Sequence, residues 1–97
     1  MSALVKYLRD GQTPIGAIAC PSKGKVGVSI CNRKDRFNRE LARNLAIGRA
    51  VSGDAYPIPR RRVLVNGRKV YLGDLIATEF VAMQARAEKY FKSKRKK

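Results

Sequence analysis

The chain has 97 residues, 44% of them apolar, with 22 lysines and arginines against 7 acidic residues and a net charge of +15. That length holds one domain with a modest core and excludes a second. Without histidine, and with Cys20 and Cys31 as the only cysteines, a four-ligand zinc site is excluded, and the apolar runs are too short for a membrane span or a signal peptide.

Residues Leu4 to Arg9 read as a first strand, closed by the turn chemistry of Asp10-Gly11-Gln12. Ile15 to Cys20 and Val26 to Cys31 read as a hairpin, because Val26, Val28 and Ile30 alternate with Gly27, Ser29 and Cys31, and Pro21 to Lys25 separate the runs. Pairing Cys20 with Val26 sets Cys31 opposite Ile15, about five residues or roughly 17 Å from Cys20 along the ladder. A disulfide needs Cα atoms within about 7 Å, so the two are expected to remain thiols.

From Asp35, a candidate N-cap, the period becomes helical. Phe37, Leu41, Leu45 and Gly48 share a side with Ala42 and Ala46 nearby, and Ser52-Gly53 is a stop signal. Asp54 to Pro59 is an extended connector because of its two prolines. Arg62 to Val65, Asn66-Gly67 and Arg68 to Leu72 form the strongest local signal, a two-residue type I′ hairpin with Val63, Val65, Val70 and Leu72 on one face. Gly73-Asp74 then opens a long helix capped by Asp74, with Ile76, Phe80, Met83, Ala87, Tyr90 and Phe91 at helical spacing and Glu79 near its positive end. The expected fold is α+β: a single domain over residues 1–91 in the order β-β-β-α-β-β-α, with two amphipathic helices packed on one side of an antiparallel sheet, followed by a basic tail over 92–97.

A charge of this size disfavours the compact state unless a polyanion neutralises it. It resolves into three surfaces. Arg36, Arg39 and Arg43 form a stripe on the solvent side of the first helix, where a planar guanidinium can bind phosphate bidentately or simply keep a helix face solvated. Arg60, Arg61 and Arg62 enter the Asn-Gly hairpin and Arg68 and Lys69 leave it, so five cations flank a two-stranded ribbon. Protecting an exposed edge needs fewer. Lys92, Lys94, Arg95, Lys96 and Lys97 make a tail suited to phosphates without sequence preference. Tyr7, Tyr56 and Tyr71 are candidates for stacking on exposed bases, Tyr71 opposite Arg62 on the outer face of the hairpin.

Asp10, Asp35, Asp54 and Asp74 fall at turns, connectors or caps, where short carboxylates have local hydrogen-bonding roles. No Ser-His or Cys-His pair can form without histidine, and the carboxylates show no pairing for metal-dependent phosphoryl chemistry. Neither Gly24-Lys25 nor Gly67-Arg68 carries a Walker or dinucleotide spacing. The expectation is a binding protein, not an enzyme, with no cofactor.

Val26-Gly27-Val28-Ser29-Ile30-Cys31-Asn32-Arg33-Lys34-Asp35-Arg36-Phe37, continued by Ala46-Ile47-Gly48-Arg49-Ala50, resembles segments of small basic proteins encoded by tailed phages. The resemblance implies a phage or prophage origin and a host-cytoplasmic location, and carries over no activity, cofactor or site residue. Lys69-Val70-Tyr71-Leu72-Gly73-Asp74-Leu75 and the helix after it are similar to the last strand and helix of AP2-type DNA-binding domains, whose upstream signature this chain lacks. The expected partner is DNA or RNA, with an acidic host protein as the alternative, no membrane, and a monomer or homodimer as the acting unit.

Overall fold

The computed structural model of the protein describes residues 3–31, 36–53 and 58–95, with side chains described as far as residue 91. Strands β1 (Leu4–Asp10), β2 (Thr13–Ser22) and β3 (Lys25–Ile30) form one antiparallel sheet in that order. Helix α1 (Arg39–Ser52) follows, then the hairpin β4 (Arg62–Val65) and β5 (Arg68–Tyr71), then helix α2 (Leu72–Arg95). The α+β class and the element order are those expected, and residues 92–95, assigned above to the tail, continue the backbone of α2.

The central strand explains the layering. Ile15 to Cys20 of β2 are all buried, so both faces of the sheet are covered. Alternation sends Ala17 and Ala19 to one face, where they pack with Ala42 and Ala46 of α1. Ile18 and Cys20 point the other way, into a larger core with Leu8, Val28, Val63, Leu72, Ile76, Met83, Ala87 and Phe91. The helices therefore lie on opposite faces of the three-stranded sheet. This corrects the one-sided packing expected above, because β2 is apolar on both faces and a single layer of helices would leave one of them in water.

The β2–β3 register is the one inferred from alternation, with Ile18 opposite Val28 and the Cys31 amide donating to the Ile15 carbonyl at 2.7 Å. Cys20 and Cys31 thus sit at opposite ends of the ladder, and no disulfide joins them. An irregularity between Ala19 and Ser22 carries β2 through Pro21, which shortens the expected turn to Lys23-Gly24.

Helix α1 differs from expectation at its start and in its buried face. Its cap is Asn38, whose Oδ1 accepts from the Leu41 amide at 2.9 Å; Asp35, the cap expected above, lies outside the described residues. Gly53 ends the helix in the left-handed region at φ 74°, its amide donating to the Arg49 carbonyl. The buried side chains are Ala42, Ala46 and Ala50, while Leu41 and Leu45 are 55% and 42% exposed. The sheet dictates this choice: a Cβ at Gly27 would collide with the Ala46 carbonyl oxygen and the Ala50 nitrogen. At so short an approach only alanines fit between helix and sheet, and the leucines turn outward. Arg49 lies beside them and donates from Nη1 to the Val28 carbonyl of β3 at 3.0 Å.

Helix α2 begins at Leu72, two residues before the expected cap, so Asp74 stands in its first turn, where its charge favours the positive end of the helix. Leu72 closes the apolar face of the hairpin, its amide donating to the Arg61 carbonyl at 2.8 Å, so that β5 runs directly into α2. Ile76, Met83, Ala87 and Phe91 are buried, and Phe80 and Tyr90 pack half-buried against them, Tyr90 edge-on to Phe91 at 5.0 Å. Among the described residues no helix is long and apolar enough to cross a membrane.

Two stability tests follow from this packing. Gly27→Ala is expected to cost about 1–3 kcal/mol by overpacking, lowering the thermal midpoint by about 4–8 °C per kcal/mol; an unchanged midpoint would mean that α1 does not bear on this strand. Burial pushes the Cys20 thiol above its ordinary value, with backbone hydrogen bonds at Lys25 and Ser22 opposing the shift in part. The stability gained from this neutral thiol is fully present below the unfolded thiol pKa of about 8.5 and is lost as the pH rises toward the folded value. Urea unfolding should therefore show wild type losing more stability than Cys20→Ala between neutral and alkaline pH. Parallel curves would contradict it.

Candidate nucleic-acid interface

The second hairpin forms as its turn chemistry requires. Asn66 and Gly67 take φ 52° and 81°, the positive values of a type I′ turn, and Arg62 pairs with Tyr71, Val63 with Val70, Leu64 with Lys69 and Val65 with Arg68. Val63 is buried and Val65 and Val70 half-buried against the core, which turns Arg62, Lys69 and Tyr71 to solvent. The Arg62 guanidinium lies over the Tyr71 ring, 5.1 Å from its centroid, and Nη2 donates to the Tyr71 hydroxyl at 3.2 Å. Arg60 and Arg68 are exposed. Arg61 is half-buried, its Nε enclosed without a hydrogen-bond partner, beside a shallow cavity shared with Ile58, Pro59, Arg60, Tyr71 and Gly73.

A second arginine–tyrosine stack joins α1 to β1. Arg39 lies over Tyr7 at 4.8 Å from the ring centroid, and Phe37 meets the same ring edge-on at 6.4 Å. Arg43 is exposed one helical turn further along. Arg36 does not complete the stripe expected above. It precedes the helix and lines an apolar groove on the β3 side with Ile30, Cys31, Leu41 and Leu45. The helix begins only at Arg39, so helical spacing does not extend back to residue 36.

The hairpin is fastened to β1. The Gly11 amide donates to the Leu64 carbonyl at 2.7 Å, and the Leu64 amide donates to Oδ1 of Asp10 at 2.8 Å. Asp10 was expected to serve its own turn; it also holds β4. Beside this joint a cleft of about 360 Å³ runs between β1 and the hairpin, lined by Lys6, Tyr7, Arg9, Leu64, Asn66 and Glu79 among others. Lys6 Nζ pairs with Glu79 Oε2 at 3.0 Å, and Arg9 Nη1 donates to the Gln12 carbonyl at 3.2 Å. Lys6 and Arg9 were not singled out from sequence, although their place on one strand with Tyr7, just before Asp10-Gly11, was the signal available.

The hairpin and α1 approach β1 from opposite faces of the sheet, Arg39 lying on Tyr7 and the hairpin fastened at Asp10 and Gly11. Among the described residues the only ion pairs are Lys6–Glu79 and Lys23–Glu88, so Arg39, Arg43, Arg60, Arg61, Arg62, Arg68 and Lys69 face no carboxylate. Tyr56, Lys96 and Lys97 lie outside the described residues, as do the side chains of Lys92, Lys94 and Arg95. No family model matches the chain, and neither a curated protein nor a solved structure matches it.

Asp10→Ala tests the joint. The change leaves the Leu64 amide without its acceptor, at a cost of about 1–3 kcal/mol. Hydrogen exchange should accelerate at Leu64 and along β4 while β2 stays protected; unchanged exchange at Leu64 would show that the carboxylate does not hold the hairpin.

Proposed function

We propose that the protein binds nucleic acid through the β1 edge, the adjoining face of α1 and the second hairpin. The observation that carries this reading is the set of arginines without carboxylate partners on those elements, two of them laid over tyrosine rings. An arginine stacked on a ring has already lost part of its rotamer freedom, while the N–H donors around its rim still point outward. Such a guanidinium grips a phosphate at a smaller entropic cost than a solvated lysine does. Arg39, Arg43, Arg62, Arg68 and Lys69 contact phosphates in this reading, Arg60 and Arg61 extend the basic surface, and the residues from Lys92 to Lys97 add affinity without sequence preference. The resemblance of the 26–37 segment adds a setting to the proposal, the cytoplasm of a bacterium carrying a tailed phage.

One observation favours a second reading, docking on an acidic host protein: the apolar groove of Leu41, Leu45 and Ile30, with Arg36 on its wall, suits an aliphatic anchor flanked by carboxylates. Pull-down from nuclease-treated host extract should then recover a stoichiometric protein partner, and recovery of none counts against it.

A salt titration checks the main reading. Binding to duplex DNA, single strands and structured RNA should weaken by about 10³- to 10⁵-fold between about 50 and 200 mM salt if six to ten phosphates are contacted. Arg39→Gln or Arg62→Gln should each lower the slope of log K against log salt by about 1. Absence of binding to all three at low salt removes the proposal.

A further inference from the structure

The exposed arginines of α1 and the hairpin suffice for tracking phosphates on a duplex. The cleft between β1 and β4 is different. At about 360 Å³ it reaches the lower end of the range of about 300–1,000 Å³ common for small-molecule sites. Tyr7, its ring turned to the α1 face of the sheet, stands on one side of it, and Leu64 and Asn66 of the hairpin stand on the other. Charge is sorted across it. Inside, Lys6 and Glu79 neutralise one another, and the Glu79 side chain is only 16% exposed. Arg39 lies on Tyr7 beside the cleft, Arg43 follows on the next turn, and Arg9 borders it. Because Lys6 neutralises Glu79, the inner part of the cleft offers a phosphate no free cation, whereas a neutral base meets Leu64 and the Asn66 amide there. β1 is also an outer strand, and along Lys6–Leu8 it faces the cleft with no strand beside it, so its outward backbone groups can reach the edge of a base.

We propose that the ligand is a single-stranded polynucleotide whose bases enter this cleft while its phosphates lie on Arg39, Arg43 and Arg9. The proposal rests on the nucleic-acid reading above and specifies its substrate. In a duplex the bases are stacked and paired, so they cannot turn into a recess beside a strand edge. An unpaired strand can splay them out, and an aromatic wall accepts any base because every base has a π-face.

The test uses the full-length protein with fluorescently labelled oligodeoxythymidine, oligouridine and a blunt duplex of equal length, all at one salt concentration. Single strands are expected to bind at least about tenfold more tightly than duplex, and comparison of the thymidine and uridine strands separates DNA from RNA. Leu64→Ala, which removes the aliphatic wall without placing a charge opposite Lys69, should weaken single-strand binding by about tenfold. Its effect on duplex binding should be small, and Val81→Ser on α2 serves as the surface control. Tyr7 also packs on Phe37, so its role is read in the unaltered protein by photo-crosslinking a 4-thiouridine strand; the adduct is expected on the peptide containing Tyr7. Equal affinity for duplex and single strand, or adducts confined to the hairpin and α1, overturns the cleft assignment and leaves phosphate binding standing. Failure of every nucleic acid to bind at low salt overturns both.

Discussion

Six consecutive buried residues, Ile15 to Cys20, make β2 a strand that must be covered on both faces, and the rest of the molecule is arranged around that demand. A 97-residue chain has few elements with which to meet it. The division of labour follows side-chain size. The large side chains Ile18, Leu8, Met83 and Phe91 share one core with α2 and the hairpin, while Ala17 and Ala19 accept α1 at backbone distance. Because the close side is made of alanine and glycine, α1 contributes little apolar area per residue, and its attachment depends on fit more than on burial.

The same arrangement governs electrostatics. Seven acidic residues cannot balance twenty-two basic ones, so most cations have no carboxylate to meet. Two of them settle on tyrosine rings instead of carboxylates. Cation–π contact at an exposed site is worth about 0.5–1 kcal/mol, enough to orient a guanidinium and too little to satisfy its charge. Among the described residues these arginines face no carboxylate, and an anionic ligand would relieve their mutual repulsion.

Much of this was legible in the sequence where short-range chemistry decides structure. The Asn66-Gly67 turn and the β4–β5 register, the alternation of β3, and the Gly53 stop all rest on interactions within a few residues. Helix α1 was misread because hydropathy ranks leucine above alanine, and the reason alanine wins sits on another element, at Gly27. The sidedness of the helices depended on reading the unbroken apolar run Ile15-Gly16-Ala17-Ile18-Ala19-Cys20 as buried on both faces, and periodicity alone does not separate such a run from one side of a hairpin. The cleft was invisible for a different reason. Its walls come from residues 6–11 and 64–79, and no local pattern joins Asp10 to the Leu64 amide across that separation.

Arg49 occupies an acceptor on the outer edge of the sheet. Addition of strands from copy to copy needs two receptive edges on every molecule, so that each copy can be both donor and acceptor. On β3 the Val28 carbonyl is engaged by the Arg49 guanidinium, and on the other side the hairpin is fastened at the end of β1. A strand added at β3 would have to displace the Arg49 guanidinium from Val28 to complete its ladder.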